Sequence, residues 1–470
     1  ETKPAGSARV PPMHVNFKAG WKRPAMQGIR QYAPRIRGAI TEELQKMLDE
    51  GVVERSNASY GCPVLAVPKA DNENGIRFCT DFVDINAGVE VESYPLPAIS
   101  VILDSMAEAV EYTAKVDLKA GYWQFSVAEE DREKLAFFFD GTMYQYRCVP
   151  MGYIQSSFHV QKNMYEAFKH YFGKGIWVYL DDIIIHAKCF IDFMALLEAA
   201  LGILRETGLQ CKRSKCHFGM RDLEVLGHVV SREGVRMSEG RKRAVLAIPF
   251  PRTTKELRRF LGSTNFQRKY IPNYGRISKP LSAQVNNPTS EWPMEEMKVA
   301  FEQVRQGVAD QLSLAHLRYD IPLVLCGDAS ILGAGGSLKN RYPDEDRVVG
   351  CCSHAFTAAE SRWKTIEQEA FAIVFMILYF RPVLWGHNFL VETDHRNLCY
   401  IHSGTSPKVQ RWAMALQAFS YSVVHVRGED NDLADSLSRY PLPAEMATTP
   451  PLTLNAIRFS DFGHRSDTIR

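Results

Sequence analysis

Two carboxylates stand side by side in the sequence Tyr179-Leu180-Asp181-Asp182, between apolar, β-prone runs at residues 176–179 and 183–186. Such runs predict the strands of a hairpin with the acids at its turn. A third acid, Asp117, ends the β-prone run 114–117. Because burying adjacent unpaired anions is costly, acids that meet at strand ends favour a pair of Mg²⁺ or Mn²⁺ ions, the arrangement used in phosphoryl transfer. The alternative is a solvated turn, the common setting of an Asp-Asp pair.

A second set of acids lies in the C-terminal third: Asp328, Glu369, Asp394 and Asp435. Asp328 and Asp394 each follow a β-rich run, and Glu369 borders the apolar stretch 370–380. A glutamate beside a buried helix face needs a partner, and a metal ion is one. Asp435 also suits a helix N-cap, which would need no catalytic role. The region is therefore a second candidate metal centre.

The hydrophobic pattern predicts the elements that must position these acids. Helices are expected at residues 41–50, 193–206, 239–248, 255–270 and 360–380. Strands are expected at residues 64–67, 77–80, 114–117, 122–127, 176–179, 183–186, 323–327 and 389–393. Strands mixed with helices in both parts of the chain indicate α+β or α/β domains, with a boundary near residues 310–320.

Composition narrows the class of protein. The chain has 470 residues, of which 46% are hydrophobic and 23% charged, as in globular proteins of several domains. Its longest unbroken apolar run, 370–380, is much shorter than the roughly 18 residues that cross a bilayer. The net charge is only +2, yet residues 212–279 hold 17 Lys and Arg against five acids. Such a stretch is typical of polyanion binding or of a solvated face.

Several short motifs occur in the order found in one enzyme family. In the first part they are Asp117-Leu118-Lys119-Ala120-Gly121-Tyr122, Pro150-Met151-Gly152-Tyr153, Tyr179-Leu180-Asp181-Asp182 and Leu226-Gly227-His228. Asn86 precedes them, and Ser156, Ser157, Phe158 and Gln161 accompany the second. In the last part they are Gly327-Asp328-Ala329-Ser330, Thr393-Asp394-His395 and Leu433-Ala434-Asp435. Over residues 27–440 the chain resembles the gypsy-like (metavirus) LTR-retrotransposon reverse transcriptase with a fused RNase H domain.

This resemblance implies an α+β right-hand polymerase (fingers, palm and thumb) followed by an α/β RNase H-like domain with a mixed five-stranded sheet. The implied division is an extended basic arm at 1–25, fingers and palm at 26–237, a basic helical thumb at 238–317, an RNase H domain at 318–441 and a flexible tail at 442–470.

The resemblance also implies a role for each candidate residue. The catalytic, metal-binding acids of the polymerase would be Asp117, Asp181 and Asp182, and those of the nuclease would be Asp328, Glu369, Asp394 and Asp435. Each set would hold two Mg²⁺ or Mn²⁺ ions. The nucleotide would be contacted by Lys69, Arg77, Tyr122 and Met151, with the Tyr122 ring excluding a ribose 2′-hydroxyl. The primer grip would be Leu226, Gly227 and His228.

The implied function is DNA synthesis on RNA or DNA template, with cleavage of RNA in RNA–DNA hybrids, to copy an LTR retrotransposon genome. The implied partners are RNA–DNA hybrid, RNA and DNA template-primer and deoxynucleoside triphosphates, with no membrane. A homodimer is left open. The implied location is the cytoplasm, within virus-like particles.

Three positions depart from the family pattern. Val83 stands where arginine is usual, Met151 replaces phenylalanine or glutamine, and residues 427–432 lack the histidine that many relatives carry before the last acid. Two alternatives remain open: a non-catalytic subunit that scaffolds a partner chain, and a pararetroviral enzyme with the same chemistry. An RNA polymerase is disfavoured by Tyr122 and by the nuclease domain.

Overall fold

The computed structural model describes residues 5–23, 30–69, 72–92, 94–106, 111–330, 333–395 and 406–426. The chain folds as two compact units, Glu1–Val225 and Leu226–Arg470. Among the described helices, none combines the length and the apolar character that crossing a bilayer requires. The finer division at residues 25, 237, 317 and 441 stays a prediction.

The first unit mixes helices and strands. Its helices are α1 (Pro34–Asp49), α2 (Val83–Gly88), α3 (Ile99–Met106), α4 (Ser156–Phe168) and α5 (Phe190–Thr207). Its strands are β1 (Val53–Arg55), β2 (Cys62–Lys69), β3 (Asn72–Thr80), β4 (Tyr112–Asp117), β5 (Ala136–Phe139), β6 (Thr142–Tyr146), β7 (Ile176–Tyr179), β8 (Asp182–Ala187), β9 (His217–Met220) and β10 (Leu223–Val225).

Two sheets organise this unit. One has the strand order β1-β6-β5-β2-β3, and the other has the order β7-β8-β4-β9. In the second sheet β8 is the partner of both β7 and β4, and its residues Ile183, Ile184 and Ile185 are fully buried. A strand buried on both faces reads as a continuous apolar run, which is why these residues predict it so clearly. This sheet carries the first set of acids.

The helices of the second unit are α6 (Glu239–Leu246), α7 (Thr254–Asn265), α8 (Tyr274–Ile277), α9 (Lys279–Ser282), α10 (Met294–Ala309), α11 (Thr365–Tyr379), α12 (Arg381–Leu384) and α13 (Pro407–Ala415). Its strands are β11 (His228–Ser231), β12 (Gly234–Met237), β13 (Leu323–Ser330), β14 (Gly333–Arg341), β15 (Asp346–Ala355), β16 (Asn388–Thr393) and β17 (Ser420–His425).

A mixed five-stranded sheet forms the centre of the second unit, in the order β15-β14-β13-β16-β17. The strands β15, β14 and β13 pair antiparallel, whereas β13, β16 and β17 pair parallel. The helix α11 lies directly on this sheet, because a Cβ at Gly327 or Gly336 would come within 2.1 Å of the Met376 side chain. The predicted mixed five-stranded sheet is confirmed.

Several predicted elements differ from the structure. The helix expected at 255–270 ends at Asn265 and is followed by a 3₁₀ turn at Arg268–Tyr270. Residues 122–127 do not form a strand: Gly121–Gln124 is a 3₁₀ turn that follows Ala120 in a left-handed conformation. Local tertiary contacts there override the strand preference of the aromatic residues. The helix expected at 41–50 already begins at Pro34, a residue favoured in the first helical turn. The helix expected at 360–380 begins only at Thr365.

Candidate active sites

The acids of the first unit lie where two strands end. Asp117 is the last residue of β4, Asp182 is the first of β8, and the two are paired positions in these antiparallel strands. Because Tyr179 pairs with Asp182 in the β7–β8 hairpin, Leu180 and Asp181 alone form its turn. Leu180 has a φ of +55°, a left-handed conformation suited to tight hairpins. The three acids therefore meet at one end of the sheet.

Two lysines balance part of this negative charge. Lys115 Nζ lies 2.9 Å from Asp182 Oδ2, and Lys215 Nζ lies 3.5 Å from Asp117 Oδ2. Asp181 is different: burial, and then the charges of Asp182 and Asp117, hold its pKa above the ordinary value. A divalent cation would relieve this cost, and oxygen donors suit Mg²⁺ or Mn²⁺.

The turn is held by Gln161, which accompanies the Pro150-Met151-Gly152-Tyr153 motif in the sequence without a contact assigned to it. Gln161 of α4 is fully buried; its Oε1 accepts a hydrogen bond from Leu180 N at 2.7 Å, and its Nε2 donates one to Val178 O at 3.1 Å. On the other side, a Cβ at Gly121 would lie 2.7 Å from Asp181 Cβ, so only glycine fits there. The position of Asp181 is therefore fixed from two directions.

Tyr122 comes after Asp117 in the chain and lies in the 3₁₀ turn Gly121–Gln124. Its ring is half-buried, and its hydroxyl lies 3.0 Å from Ser157 Oγ of α4. Burial raises the pKa of Tyr122, and the nearby charge of Asp181 adds to the shift. The ring therefore lies beside the acids and is held in place at its far end.

Met151 occupies an exposed loop, with 58% of its surface accessible. The backbone around it is fixed by Asn86, whose amide donates to Gly152 O at 3.0 Å and whose carbonyl oxygen accepts from Ile154 N at 2.9 Å. Gly152 has a φ of +90°, which glycine adopts readily. The loop thus presents Met151 to solvent on a rigid support.

The two residues expected to hold the triphosphate lie on the β2–β3 hairpin. Arg77 is exposed on β3, opposite Val67 of β2. The side chain of Lys69 lies outside the described residues. An exposed arginine can fork onto phosphate oxygens, so the position of Arg77 is compatible with its predicted role.

The predicted primer grip is a tight turn in the second unit. Leu226 and Gly227 have φ of +52° and +81°, and Arg241 Nη1 donates to Leu226 O at 3.2 Å. His228 points inward: its side chain is buried, its Nδ1 lies 2.9 Å from the Tyr270 hydroxyl, and burial with nearby cations lowers its pKa to about 3. A neutral, buried His228 supports the turn rather than facing solvent.

Three acids of the second set meet beside the mixed sheet. Asp328 of β13 and Asp394 after β16 each lie two residues beyond the last paired positions, Cys326 and Glu392, of these parallel strands. Glu369 of α11 joins them, and the ligand atoms of Asp328, Glu369 and Asp394 all lie within 4.8 Å of one another. The fourth predicted acid, Asp435, lies outside the described residues.

Crowding has a large effect on Glu369. Burial, and then the charges of Asp328 and Asp394, raise its pKa to about 9. Burial and the two neighbouring charges therefore keep the carboxyl of Glu369 protonated at neutral pH. Three oxygen donors within reach of one another suit a hard divalent cation, so these residues fit Mg²⁺ or Mn²⁺.

Sequence reasoning missed the support that five residues give to the site. Three of them, Asn86, Ser157 and Gln161, accompany the family motifs in the sequence, but the motifs suggest no contacts for them. Lys115 and Lys215 were missed altogether. Lys115 could have been found, because it lies two residues before Asp117 on the same strand and hence on the same face.

Comparison with protein families identifies a known domain around each set of acids. Residues 67–230 match the family described as reverse transcriptase (RNA-dependent DNA polymerase), and residues 318–419 match the RNase H-like domain found in reverse transcriptase. The first match includes the hairpin acids, and the second includes Asp328, Glu369 and Asp394.

Relatives extend over most of the chain. The retrovirus-related Pol polyprotein from transposon 297 of Drosophila melanogaster is 30% identical over 407 residues, which cover 85% of this chain and 38% of the relative. The chain carries the reverse transcriptase and RNase H-like domains found in the Pol polyproteins of gypsy-like LTR retrotransposons. The transposon Tf2-3 polyprotein of Schizosaccharomyces pombe is 28% identical, over 90% of this chain and 32% of the relative. The chain thus spans about a third to two fifths of these retrotransposon polyproteins.

Solved structures share the fold of this reverse transcriptase. The foamy viral protease-reverse transcriptase in complex with dsDNA matches 90% of this chain and 89% of that chain, with a TM-score of 0.77 and 21% identity. The same viral protein in complex with an RNA/DNA hybrid matches 95% of this chain and 60% of that chain, with a TM-score of 0.71 and 20% identity. The predicted right-hand polymerase followed by an RNase H-like domain is confirmed, and both families are metal-dependent.

We expect Gln161→Leu to impair polymerisation without abolishing folding. The change leaves Leu180 N and Val178 O without their buried partner, at a cost of about 1–3 kcal/mol for each group. Primer extension should slow at least several-fold while hybrid cleavage is retained. The matched control is Gln368→Leu, since Gln368 is also a buried glutamine with two backbone partners, Glu360 O and Ser361 O, but lies in the second unit. Equal effects of both changes on extension would contradict the role of Gln161.

We expect Mg²⁺ affinity at the second set to rise with pH, about tenfold per unit below pH 9, because Glu369 must lose its proton on binding. Without divalent ions, the free energy of unfolding should instead fall as pH rises. The folded pKa is raised, so stability is fully present near pH 4.5 and falls as pH rises towards 9. Titrations of Mg²⁺ and thermal unfolding at several pH values measure both effects, and Glu369→Gln should remove them. Binding that does not change with pH would refute this account.

Proposed function

We propose that this chain copies RNA and DNA templates into DNA and degrades the RNA of the resulting hybrid, in the replication of an LTR retrotransposon. The observation that carries the proposal is that two separate sets of acids gather at strand ends, one in each compact unit. Asp117, Asp181 and Asp182 lie within the first family region, and Asp328, Glu369 and Asp394 lie within the second.

In the polymerase site, Asp117, Asp181 and Asp182 would hold two Mg²⁺ or Mn²⁺ ions, which neutralise phosphate charge and activate the primer hydroxyl when bound. Gln161 keeps Asp181 at the tip of the hairpin. Tyr122 lies beside the acids and would exclude a 2′-hydroxyl by contact with its ring. Arg77 would pair with the triphosphate of the incoming deoxynucleotide.

In the nuclease site, Asp328, Glu369 and Asp394 would hold two further ions together with Asp435, and the bound ions supply a water nucleophile at neutral pH. Asp328 and Glu369 are buried, which limits the water around their carboxyl groups. Glu369 would give up its proton on metal binding, so the loaded site carries a carboxylate that the empty one does not.

The proposed partners are RNA and DNA template-primer, RNA–DNA hybrid and deoxynucleoside triphosphates. Support comes from the foamy viral relative of the fold, whose structures contain dsDNA and an RNA/DNA hybrid. The 17 Lys and Arg of residues 212–279 supply charge for phosphate contacts. Binding of this kind weakens steeply as salt concentration rises.

The proposed location is the cytoplasm, within virus-like particles, and the proposed assembly includes a homodimer. Sedimentation of the tagged element from cell extracts tests the first: co-sedimentation with the particle shell supports it, and a soluble pool alone contradicts it. Light scattering of the chain with and without template-primer tests the second.

Asp181→Asn should abolish primer extension and leave hybrid cleavage intact, because it changes one acid of the first unit only. Asp328→Asn should have the opposite effect. Both activities are measured on one RNA–DNA substrate with Mg²⁺ or Mn²⁺, and the double variant is the background. Full extension by Asp181→Asn contradicts the assignment. A wild-type chain that binds hybrid without incorporating nucleotides favours a non-catalytic scaffold subunit.

Tyr122→Val should admit ribonucleotides, because the smaller side chain leaves space for a 2′-hydroxyl. The discrimination between deoxynucleotide and ribonucleotide, taken as a ratio of kcat/KM values, should fall about tenfold or more. Tyr144→Val is the control, since Tyr144 is also a partly buried tyrosine of the first unit, but its ring stacks on Phe137. Unchanged sugar selectivity in Tyr122→Val counts against the role of this ring.

A further inference from the structure

The N-terminal residues 5–18, here termed the arm, run extended along the first unit and reach its core. Met13 and Val15 of the arm are 2% and 0% exposed. We infer that the arm is a positioning element of the nucleotide site, which sets the loops that carry Tyr122 and Met151. The inference rests on the proposed polymerase function and assigns part of its nucleotide selectivity to residues far from the acids in sequence.

The arm completes the hydrogen bonding of the segment that follows Tyr122. Three bonds of 2.9 Å join the two backbones: Gly6 N to Trp123 O, Ala8 N to Gln124 O and Met13 N to Ser126 O. A fourth, from Ala128 N to Met13 O, is also 2.9 Å. Because this segment belongs to no sheet, the arm supplies the partners that a neighbouring strand would otherwise provide.

The opposite side of the same segment pairs with the chain that leads to Met151. Val127 N donates to Arg147 O and Val149 N donates to Phe125 O, each at 2.9 Å. The segment 123–128 therefore lies between the arm and residues 147–149. Tyr122 comes directly before the segment 123–128, and Met151 comes shortly after residues 147–149. A displacement of the arm would therefore move both Tyr122 and Met151.

The arm also reaches the helix that fixes the Met151 loop. Lys18 N donates to Gly88 O, and Glu90 N donates to Asn16 O, each at 2.9 Å. Gly88 ends α2, the helix whose Asn86 clamps the backbone at Gly152. The arm thus contacts both backbone supports of the nucleotide loops.

A cluster of charged groups anchors the middle of the arm. His14 Nδ1 lies 3.1 Å from Asp131 Oδ2, which also accepts a hydrogen bond from Val15 N at 3.0 Å. Lys134 Nζ donates to Val15 O at 2.8 Å and pairs with Asp131 Oδ1 at 2.5 Å. His14, Glu130 and Asp131 lie close enough to share an ion, but the lysine already occupies Asp131. We therefore interpret the cluster as an anchor for the arm and not as a metal site.

Met13→Ala tests the inference, with Met47→Ala as its matched control. Both methionines are 2% exposed in the same core, but Met47 lies on α1 and not on the arm. The full chain is assayed for single-nucleotide incorporation on a template-primer with each deoxynucleotide and ribonucleotide, and for thermal unfolding. Similar losses of unfolding temperature are expected. Only Met13→Ala should lower the deoxynucleotide-to-ribonucleotide ratio of kcat/KM, by about tenfold, since displacements of about 1 Å can cost up to 10²-fold.

His14→Ala is the second variant, because its exposed ring can be removed without opening a cavity in the core. It should lower the same ratio in the same direction, by less. Should Met13→Ala fail to fold, His14→Ala decides alone. An unchanged ratio in the folded variants overturns the inference while the wild-type chain still incorporates nucleotides. A wild-type chain that incorporates none refutes the polymerase function instead.

Discussion

Carboxylates gathered in partly or fully buried positions repel one another, and both units of this reverse transcriptase are organised around that repulsion. The first unit offsets it with cations, because Lys115 and Lys215 pair with Asp182 and Asp117. The second unit offsets it with a proton, because Glu369 has a pKa of about 9 between Asp328 and Asp394. Lysines in one site and a proton in the other thus reduce the negative charge of the acids. Divalent ions can take over this role, but they must displace a lysine or the proton to do so.

Strand register keeps the acids together despite this repulsion. In the first unit the antiparallel pairing places Asp117 opposite Asp182, and a slip of one residue would turn one of the two to the other face. In the second unit the parallel pairing of β13 and β16 brings Asp328 and Asp394 to equivalent positions. The buried apolar runs of these strands fix the register, so packing of the core provides the energy that holds the charges close.

The sequence predicts well what depends on local pattern. The hairpin, the acids at its turn and the strand before Asp394 follow from short apolar runs, and the mixed sheet follows from the family resemblance. It predicts poorly what depends on contacts between distant residues. Residues 122–127 look like a strand, but their partners are the arm and residues 147–149, which leave a 3₁₀ turn at Gly121–Gln124. His228 belongs to a recognisable motif, yet only the fold shows that Tyr270 holds it inside.

One helix face links the chemistry of the first site to its selectivity. Ser157 and Gln161 of α4 are four residues apart, so they lie on the same side of the helix. Ser157 holds the hydroxyl of Tyr122, and Gln161 holds the backbone of Leu180 beside Asp181. A displacement of α4 would therefore move two features at once. One is the Tyr122 ring proposed to exclude a ribose, and the other is the turn that carries Asp181. Selection of the nucleotide and positioning of the reacting groups thus share one support, the helix α4.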